Sequence, residues 1–88
     1  MVSVRRFRKR PVVIEAVQWT GDNLAELDAF TGLRFRAPFQ DLAQVFDVLH
    51  DTWVKVAVGQ WVIKGVKGEF YPCDDEVLQA TYEEVTGS

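Results

Sequence analysis

The sequence predicts one α+β domain, in which a small, mainly antiparallel sheet of about five strands packs against one amphipathic helix and a short C-terminal helix follows. Three observations predict this class. Short β-branched stretches are separated by turn residues, one longer segment has apolar residues at helical spacing, and Gly65 and Gly68 bracket a hairpin loop. The chain has 88 residues, which is enough for one domain and too few for two.

The composition is that of a folded protein from a reducing compartment. Hydrophobic residues make up 48% of the chain and charged residues 26%, unlike a disordered chain. Cys73 is the single cysteine, so no internal disulfide framework is possible. The basic start runs into Pro11 and not into the apolar run of a signal peptide, and no apolar run approaches the roughly 20 residues of a membrane helix. We therefore expect a cytoplasmic protein without a membrane partner.

The charge is divided unevenly between a basic N-terminal arm (1–10) and the remaining domain (11–88). The arm holds five of the ten basic residues, whereas the domain has five basic and thirteen acidic residues, a net charge of −8. Such an arm contacts nucleic acid or an acidic partner, or solubilises the chain and folds back on the acidic domain. We favour the last interpretation, because an acidic domain repels phosphates. The basic residues of the arm are Arg5, Arg6, Arg8, Lys9 and Arg10.

The first half of the domain predicts a strand, a helix and a second short strand. Val12–Trp19 is rich in β-branched residues. Thr20 or Asp22 is suited to cap a helix over Asn23–Phe30, whose apolar residues fall on one face, and Gly32 is a natural end for it. We expect a short strand at Leu33–Arg36 and irregular structure from there to Gln44.

The second half predicts strands joined by tight turns. Those strands are Val45–Val48 and Trp53–Val58, joined by a turn at His50-Asp51, then Trp61–Lys64 and its hairpin partner. The acidic run Asp74–Glu76 favours the start of a helix near Glu76–Ala80 through the helix dipole. A last short strand is expected at Thr81–Val85.

A four-residue hairpin loop over 65–68 would place Lys64 opposite Glu69 and Val62 opposite Tyr71. Ile63 and Phe70 would then lie on the core face, and the other face would be a candidate contact surface. The alternative is that the helix Asn23–Phe30 covers this other face and that the opposite face is exposed to solvent. Tryptophans in so small a domain are either core residues or line a groove, and Lys55 or Lys64 beside a tryptophan would suit an anionic aromatic ligand. The candidate contact surface therefore comprises Val62, Lys64, Glu69, Tyr71, Trp53 and Lys55.

Several blocks of this sequence resemble a family of small uncharacterised bacteriophage and prophage proteins. They lie between residues 9 and 83 and read KRPVVIEAVQWTGDN, HDTWV, GQWVIKG, GEFYPC and TYE. Relatives tend to have Asp where Gln60 stands, Pro where Asp75 stands and Phe where Leu78 stands, and the missing acid at position 60 counts against chemistry there. The resemblance implies a phage accessory protein made in an infected bacterium or from a prophage. It implies no activity, cofactor or catalytic residue.

The sequence offers no complete catalytic or metal-binding constellation. Asp47, His50 and Asp51 lie around one tight turn, where three convergent ligands would need unusual backbone geometry. We expect Asp51 to cap that turn. Cys73 and His50 would need an orienting third group to act as nucleophile and base. We therefore predict neither catalytic residues nor a cofactor or metal.

These observations favour a non-enzymatic phage accessory protein that binds a host component and forms a homo-oligomer. Small domains gain buried apolar area by pairing, and two-fold dimers are the commonest oligomers. The first alternative is a small-molecule binder that sequesters a nucleotide, for example a host signalling nucleotide. The second is a nucleic-acid contact through the basic arm.

Overall fold

The computed structural model describes residues 4–8, 12–39 and 42–85, which form an α+β domain with two antiparallel three-stranded sheets and two helices. None of the helices in these ranges is long and apolar enough to cross a membrane. In chain order the elements are β1 (Glu15–Gln18), α1 (Leu24–Thr31), β2 (Phe35–Arg36), β3 (Gln44–Asp47), β4 (Thr52–Lys55), β5 (Trp61–Lys64), β6 (Phe70–Cys73) and α2 (Asp75–Thr81).

The strands form two sheets and not the single sheet that we predicted. One sheet has the order β1-β5-β6 and the other the order β2-β3-β4. The hairpins β3–β4 and β5–β6 come from tight turns that the sequence reveals. β1 instead pairs with β5 from the far side of the chain, with Ala16 opposite Ile63, and no local signal specifies such a partner.

The core lies between the two sheets and α1. Val45 of β3 and Val62 of β5 are both 0% exposed, and Phe70 of β6 packs in the same cluster. Trp19 follows β1 directly and is buried against Phe35, with ring centroids 5.0 Å apart. Full burial of one such side chain contributes about 1.5–3 kcal/mol, so these positions supply much of the stability.

The two ends of helix α1 are set by Asn23 and Gly32. Gly32 adopts the left-handed conformation, with φ +63°, and ends the helix as expected. Asn23, and not Thr20 or Asp22, occupies the N-cap position, but no side chain caps the helix. Its Oδ1 instead accepts a bond from the backbone N–H of Thr20, and its Nδ2 donates to the carbonyl of Gln18, which ties the helix start to the end of β1.

The hairpin β5–β6 has a different register from the one that we predicted. The backbone N–H of Gly65 donates to the carbonyl of Glu69, and the N–H of Gly68 donates to the carbonyl of Gly65. Gly68 has φ +81°, so the loop is the three-residue type in which a left-handed glycine closes a bulge. Lys64 therefore lies opposite Phe70 and not opposite Glu69.

This shift of one residue exchanges the two faces of β5 relative to the prediction, whereas Phe70 and Tyr71 of β6 keep the faces predicted for them. Val62 and Phe70 face the core, whereas Ile63 and Tyr71 are neighbours on the opposite face. Ile63 is only 1% exposed, so that face is covered as well. On the same face of β5, the indole N–H of Trp61 donates a 2.9 Å bond to the carboxylate of Asp75 in α2.

The end of the described chain also differs from the prediction. Helix α2 spans Asp75–Thr81 and confirms the expected helix, but 82–85 form no strand. The N–H of Tyr82 still donates to the carbonyl of Leu78, and the backbone of Tyr82 is extended. A strand also needs a hydrogen-bonded neighbouring strand, and 82–85 have none among the described residues.

Candidate binding surfaces

The outward face of the β2-β3-β4 sheet combines aromatic and basic side chains. Phe35, Val45 and Val54 of this sheet pack into the core, so the alternate positions point away from it. Register places these alternate positions side by side, with Arg36 beside Gln44, Gln44 beside Lys55, and Phe46 beside Trp53. We call this set the aromatic–basic face: Arg36, Gln44, Phe46, Trp53 and Lys55.

At the centre of the aromatic–basic face, Trp53 contacts both Phe46 and Arg36. The rings of Phe46 and Trp53 meet edge to face, with centroids 5.3 Å apart. The guanidinium carbon of Arg36 lies 3.9 Å from the centroid of the Trp53 ring, within the range of a cation–π interaction. The Nε of Arg36 also donates to the amide oxygen of Gln44 at 2.8 Å, which fixes the direction of the guanidinium.

The aromatic–basic face is a local exception on an acidic domain. Arg36 and Lys55 are exposed, and none of the strand positions that point the same way is acidic. Trp53 and Phe46 are half-buried, so each ring keeps some surface in solvent. Such a face attracts an anion and offers a planar surface against which an aromatic or planar group stacks.

The turn between β3 and β4 is organised by Asp47 and not by Asp51. One carboxylate oxygen accepts the backbone N–H groups of Leu49 and His50, and the other lies 2.7 Å from Nδ1 of the His50 ring. The bond to the His50 ring lowers the pKa of Asp47 below its usual value, with help from the two backbone bonds. Among the described residues, no group of three His, Cys, Asp or Glu side chains is placed to hold a metal ion.

Cys73 is half-buried at the end of β6. Its Sγ lies 3.5 Å from the carbonyl oxygen of Asp74. Burial, followed by the charge of Asp74, raises the pKa of the Cys73 thiol above its usual value. A thiolate is therefore disfavoured, which is the opposite of what a nucleophilic cysteine needs.

A second surface is a groove of about 480 Å³ that runs along β1, which we call the edge groove. Residues 12–17 form its floor, Phe30 of α1 stands on one side, and Leu78 of α2 stands on the other. Trp61 also lines it, so this tryptophan faces a groove while Trp19 belongs to the core. Its acidic lining residues are Glu15, Glu83 and Glu84.

The structure separates the six predicted contact residues. Trp53 and Lys55 lie together on the aromatic–basic face. Val62 is buried in the core, which excludes it from any surface. Lys64 is exposed at the end of β5, and the carboxylate of Glu69 accepts the backbone N–H of Lys67.

Tyr71 lies beside Ile63, on the face of its sheet opposite Val62 and Phe70. Its pKa is raised, first by burial and then by the neighbouring Tyr82. Sequence reasoning missed Arg36 and Phe46 as members of a surface. Their signal was present, because both occupy alternate positions of predicted strands.

The basic arm is described in part. Arg5, Arg6 and Arg8 are exposed, whereas Lys9 and Arg10 lie outside the described residues. The arm also carries two exposed apolar side chains, Val4 at 82% and Phe7 at 87%.

Among known proteins, no family model, no curated protein and no solved structure matches this chain.

Proposed function

We propose that this protein is a non-enzymatic phage accessory protein that binds an anionic component of its host bacterium, and that the aromatic–basic face is the contact site. The observation that carries the proposal is the Arg36 guanidinium held over Trp53 beside the exposed Lys55. The phage origin and the location in the bacterial cytoplasm rest on the resemblance of residues 9–23 and of the later blocks to phage proteins.

The residue types on this face are those that dominate protein contacts. Tryptophan and arginine are enriched among the residues whose truncation costs most binding free energy. A half-buried tryptophan loses little conformational entropy when a partner covers it. The two basic side chains select an acidic surface and reject a basic one. An acidic segment of a host protein is therefore the partner that we propose.

A nucleotide is the second candidate, and one contact favours it. The Trp53 ring already accepts the planar guanidinium of Arg36 at 3.9 Å, so the same ring or the guanidinium itself would stack on a base. Lys55 would then pair with the phosphate. The protein would sequester the nucleotide, for example a host signalling nucleotide, without transforming it.

Nucleic-acid binding through the arm remains an alternative with its own signature. Arg5, Arg6 and Arg8 are exposed and available to phosphates. An affinity that falls steeply with salt and is lost on deletion of Met1–Arg8 would support it.

Self-association is part of the proposal, because a chain of 88 residues gains apolar burial by pairing. It does not involve the aromatic–basic face, which we assign to the host component.

A charge-reversal experiment tests the contact site. The double variant Arg36→Glu with Lys55→Glu reverses the face without touching the core, and Lys67→Glu in the exposed hairpin loop is the matched control. Capture from bacterial lysate should give one stoichiometric partner with the parent and with Lys67→Glu. The affinity of the double variant for that partner should be lower than the affinity of the parent by about tenfold or more. Equal capture by all three proteins, with unchanged circular dichroism, would exclude this face.

A nucleotide panel separates the second candidate. A ligand at about a hundred times its Kd adds about 2.7 kcal/mol to the free energy of unfolding, which a thermal shift detects. A thermal shift with one nucleotide, lost in the double variant, would identify a nucleotide as the component.

The non-enzymatic assignment is tested by His50→Gln and Cys73→Ala, which should both behave like the parent. A hundredfold loss of function in a folded variant of either would overturn it.

A further inference from the structure

Strand β1 is an open edge of its sheet. In the described part of the chain it pairs with β5 alone. The N–H of Trp19 donates to the carbonyl of Gln60 towards β5, and the alternation of an antiparallel ladder then turns the N–H and C=O of Ala16 the other way. The edge groove runs along this side. At Ala16 its floor therefore offers a backbone donor and an acceptor that one more strand would satisfy, whereas the carbonyl of Gln18 already accepts from Asn23.

Apolar side chains flank that floor on both sides, together with polar ones on the side of α2. Phe30 stands on the side of α1, and Leu78 and Tyr82 stand on the side of α2. An added strand points alternate side chains to opposite sides, so each wall would receive apolar groups from it. The acidic Glu83 and Glu84 then select a strand with basic residues.

The basic arm has the properties that this groove requires. Val4 and Phe7 are three positions apart, so in an extended strand they point to opposite sides. Both are more than four-fifths exposed, with nothing in the described chain covering them. The arginines that accompany them are Arg5, Arg6 and Arg8.

We propose that the arm of a second copy of this chain occupies the edge groove and adds a strand to β1. This inference rests on the self-association in the proposed function and assigns its surface. The arm precedes β1 in the sequence, and in two copies related by a two-fold axis the two arms would be exchanged reciprocally. Each groove and each arm is then used once, and the assembly closes as a dimer.

A charge exchange tests this assignment on the full chain. In the arm variant, Arg5, Arg6 and Arg8 are each replaced by Glu, and in the groove variant Glu83→Arg is combined with Glu84→Arg. The parent should sediment as a dimer of the 10.0 kDa chain. Each variant alone should dissociate at least about tenfold more readily, because like charges then meet across the contact. An equimolar mixture of the two should restore dimers.

Phe7→Ser tests the apolar part, with Phe39→Ser as its matched control. Phe39 is also strongly exposed, at 67%, and does not line the groove. Only Phe7→Ser should weaken the dimer. A parent dimer that survives both Phe7→Ser and the charge variants would overturn the arm exchange while leaving self-association in place.

A parent that stays monomeric at every concentration would overturn both self-association and the arm exchange. If Phe7→Ser then also lowered the melting temperature, the arm would be docked in the groove of its own chain. Partner capture by Phe7→Ser is the separate readout of the aromatic–basic face, and we expect it to equal that of the parent.

Discussion

Asp47 organises the turn between β3 and β4 through both of its carboxylate oxygens. Two backbone N–H groups bond to one oxygen, and the His50 ring approaches the other. Short polar side chains bond locally in this way to the backbone that follows them. The sequence suggested Asp51 for this role, but Asp51 itself takes a positive φ of +53° inside the turn. The bonding aspartate precedes the turn because its side chain must reach forward to the N–H groups.

The pKa of Asp47 makes a prediction about pH. The folded protein lowers this pKa below 3.8, chiefly through the bond to His50. A carboxyl group whose pKa is lowered by folding stabilises the folded protein. This stabilisation is fully present when the pH is above the pKa of the unfolded chain, and it is lost as the pH falls through the pKa of the folded protein. Asp47→Asn should therefore unfold at lower urea concentration than the parent at about pH 7, and the difference should shrink below about pH 4. An undiminished difference in acid would show that charge is not the cause.

Cys73 makes a second prediction at the residue scale. Because burial and Asp74 raise the pKa of the thiol, little thiolate forms near neutral pH. Iodoacetamide should alkylate the folded protein more slowly than the same protein unfolded in urea, with the gap closing as pH rises above the usual thiol value of 9.0. Mass spectrometry of timed samples measures both rates. Faster alkylation of the folded protein would contradict the raised pKa.

Among the elements, the β5–β6 hairpin shows how one loop residue sets the register of a sheet. The sequence correctly placed a strand at Trp61–Lys64 and a loop after it, because glycines and alternation mark both. It did not reveal the count of loop residues. That count follows from Gly68 in the left-handed conformation, and it decides that Val62 is core and that Tyr71 lies on the other face.

Gly68 should therefore tolerate few replacements. No heavy atom lies within 4 Å of where a Cβ would stand, so the cost of a side chain is conformational and not steric crowding. Gly68→Ala should lower the free energy of unfolding by about 1 kcal/mol. Gly68→Asn should cost less, because asparagine enters the left-handed region more readily. Urea unfolding of the two variants gives the comparison, and equal costs would point to a cause other than backbone strain.

At the scale of the whole molecule, the two sheets share one core. Side chains of β3, β5 and β6 and Trp19 form a single buried cluster. The class of fold, both helices and most strand positions could be predicted, since they depend on local periodicity and turn residues. The division into two sheets could not, because the pairing of Glu15 with Lys64 joins distant parts of the chain. The aromatic–basic face was predicted in part, through Trp53 and Lys55. Alternation indicates which side of their strands Arg36 and Phe46 share, but only the pairing of β2 with β3 and of β3 with β4 brings them beside Trp53.

A shared core predicts that a cavity on one side destabilises the entire molecule. Val62 is 0% exposed, whereas Val66 in the hairpin loop is 77% exposed. Val62→Ala should lower the free energy of unfolding by about 2 kcal/mol. Val66→Ala, the same substitution in solvent, should change it by less than about 0.5 kcal/mol. Far- and near-ultraviolet circular dichroism should report one coincident transition for both variants. Two separated transitions would show that the sheets unfold independently.

The proline at position 72 makes the β6 edge of its sheet a poor site for a further strand. It lies opposite Val62, and the alternation set by the Gly65–Glu69 bond turns its nitrogen away from β5. That nitrogen carries no hydrogen, so the outer side of β6 lacks a donor where a further strand would need one. Linear polymerisation through sheet edges requires two competent edges on each subunit. Among the described strands, the β1-β5-β6 sheet has one such edge, at β1, so we expect this sheet not to grow by strand addition at its β6 side.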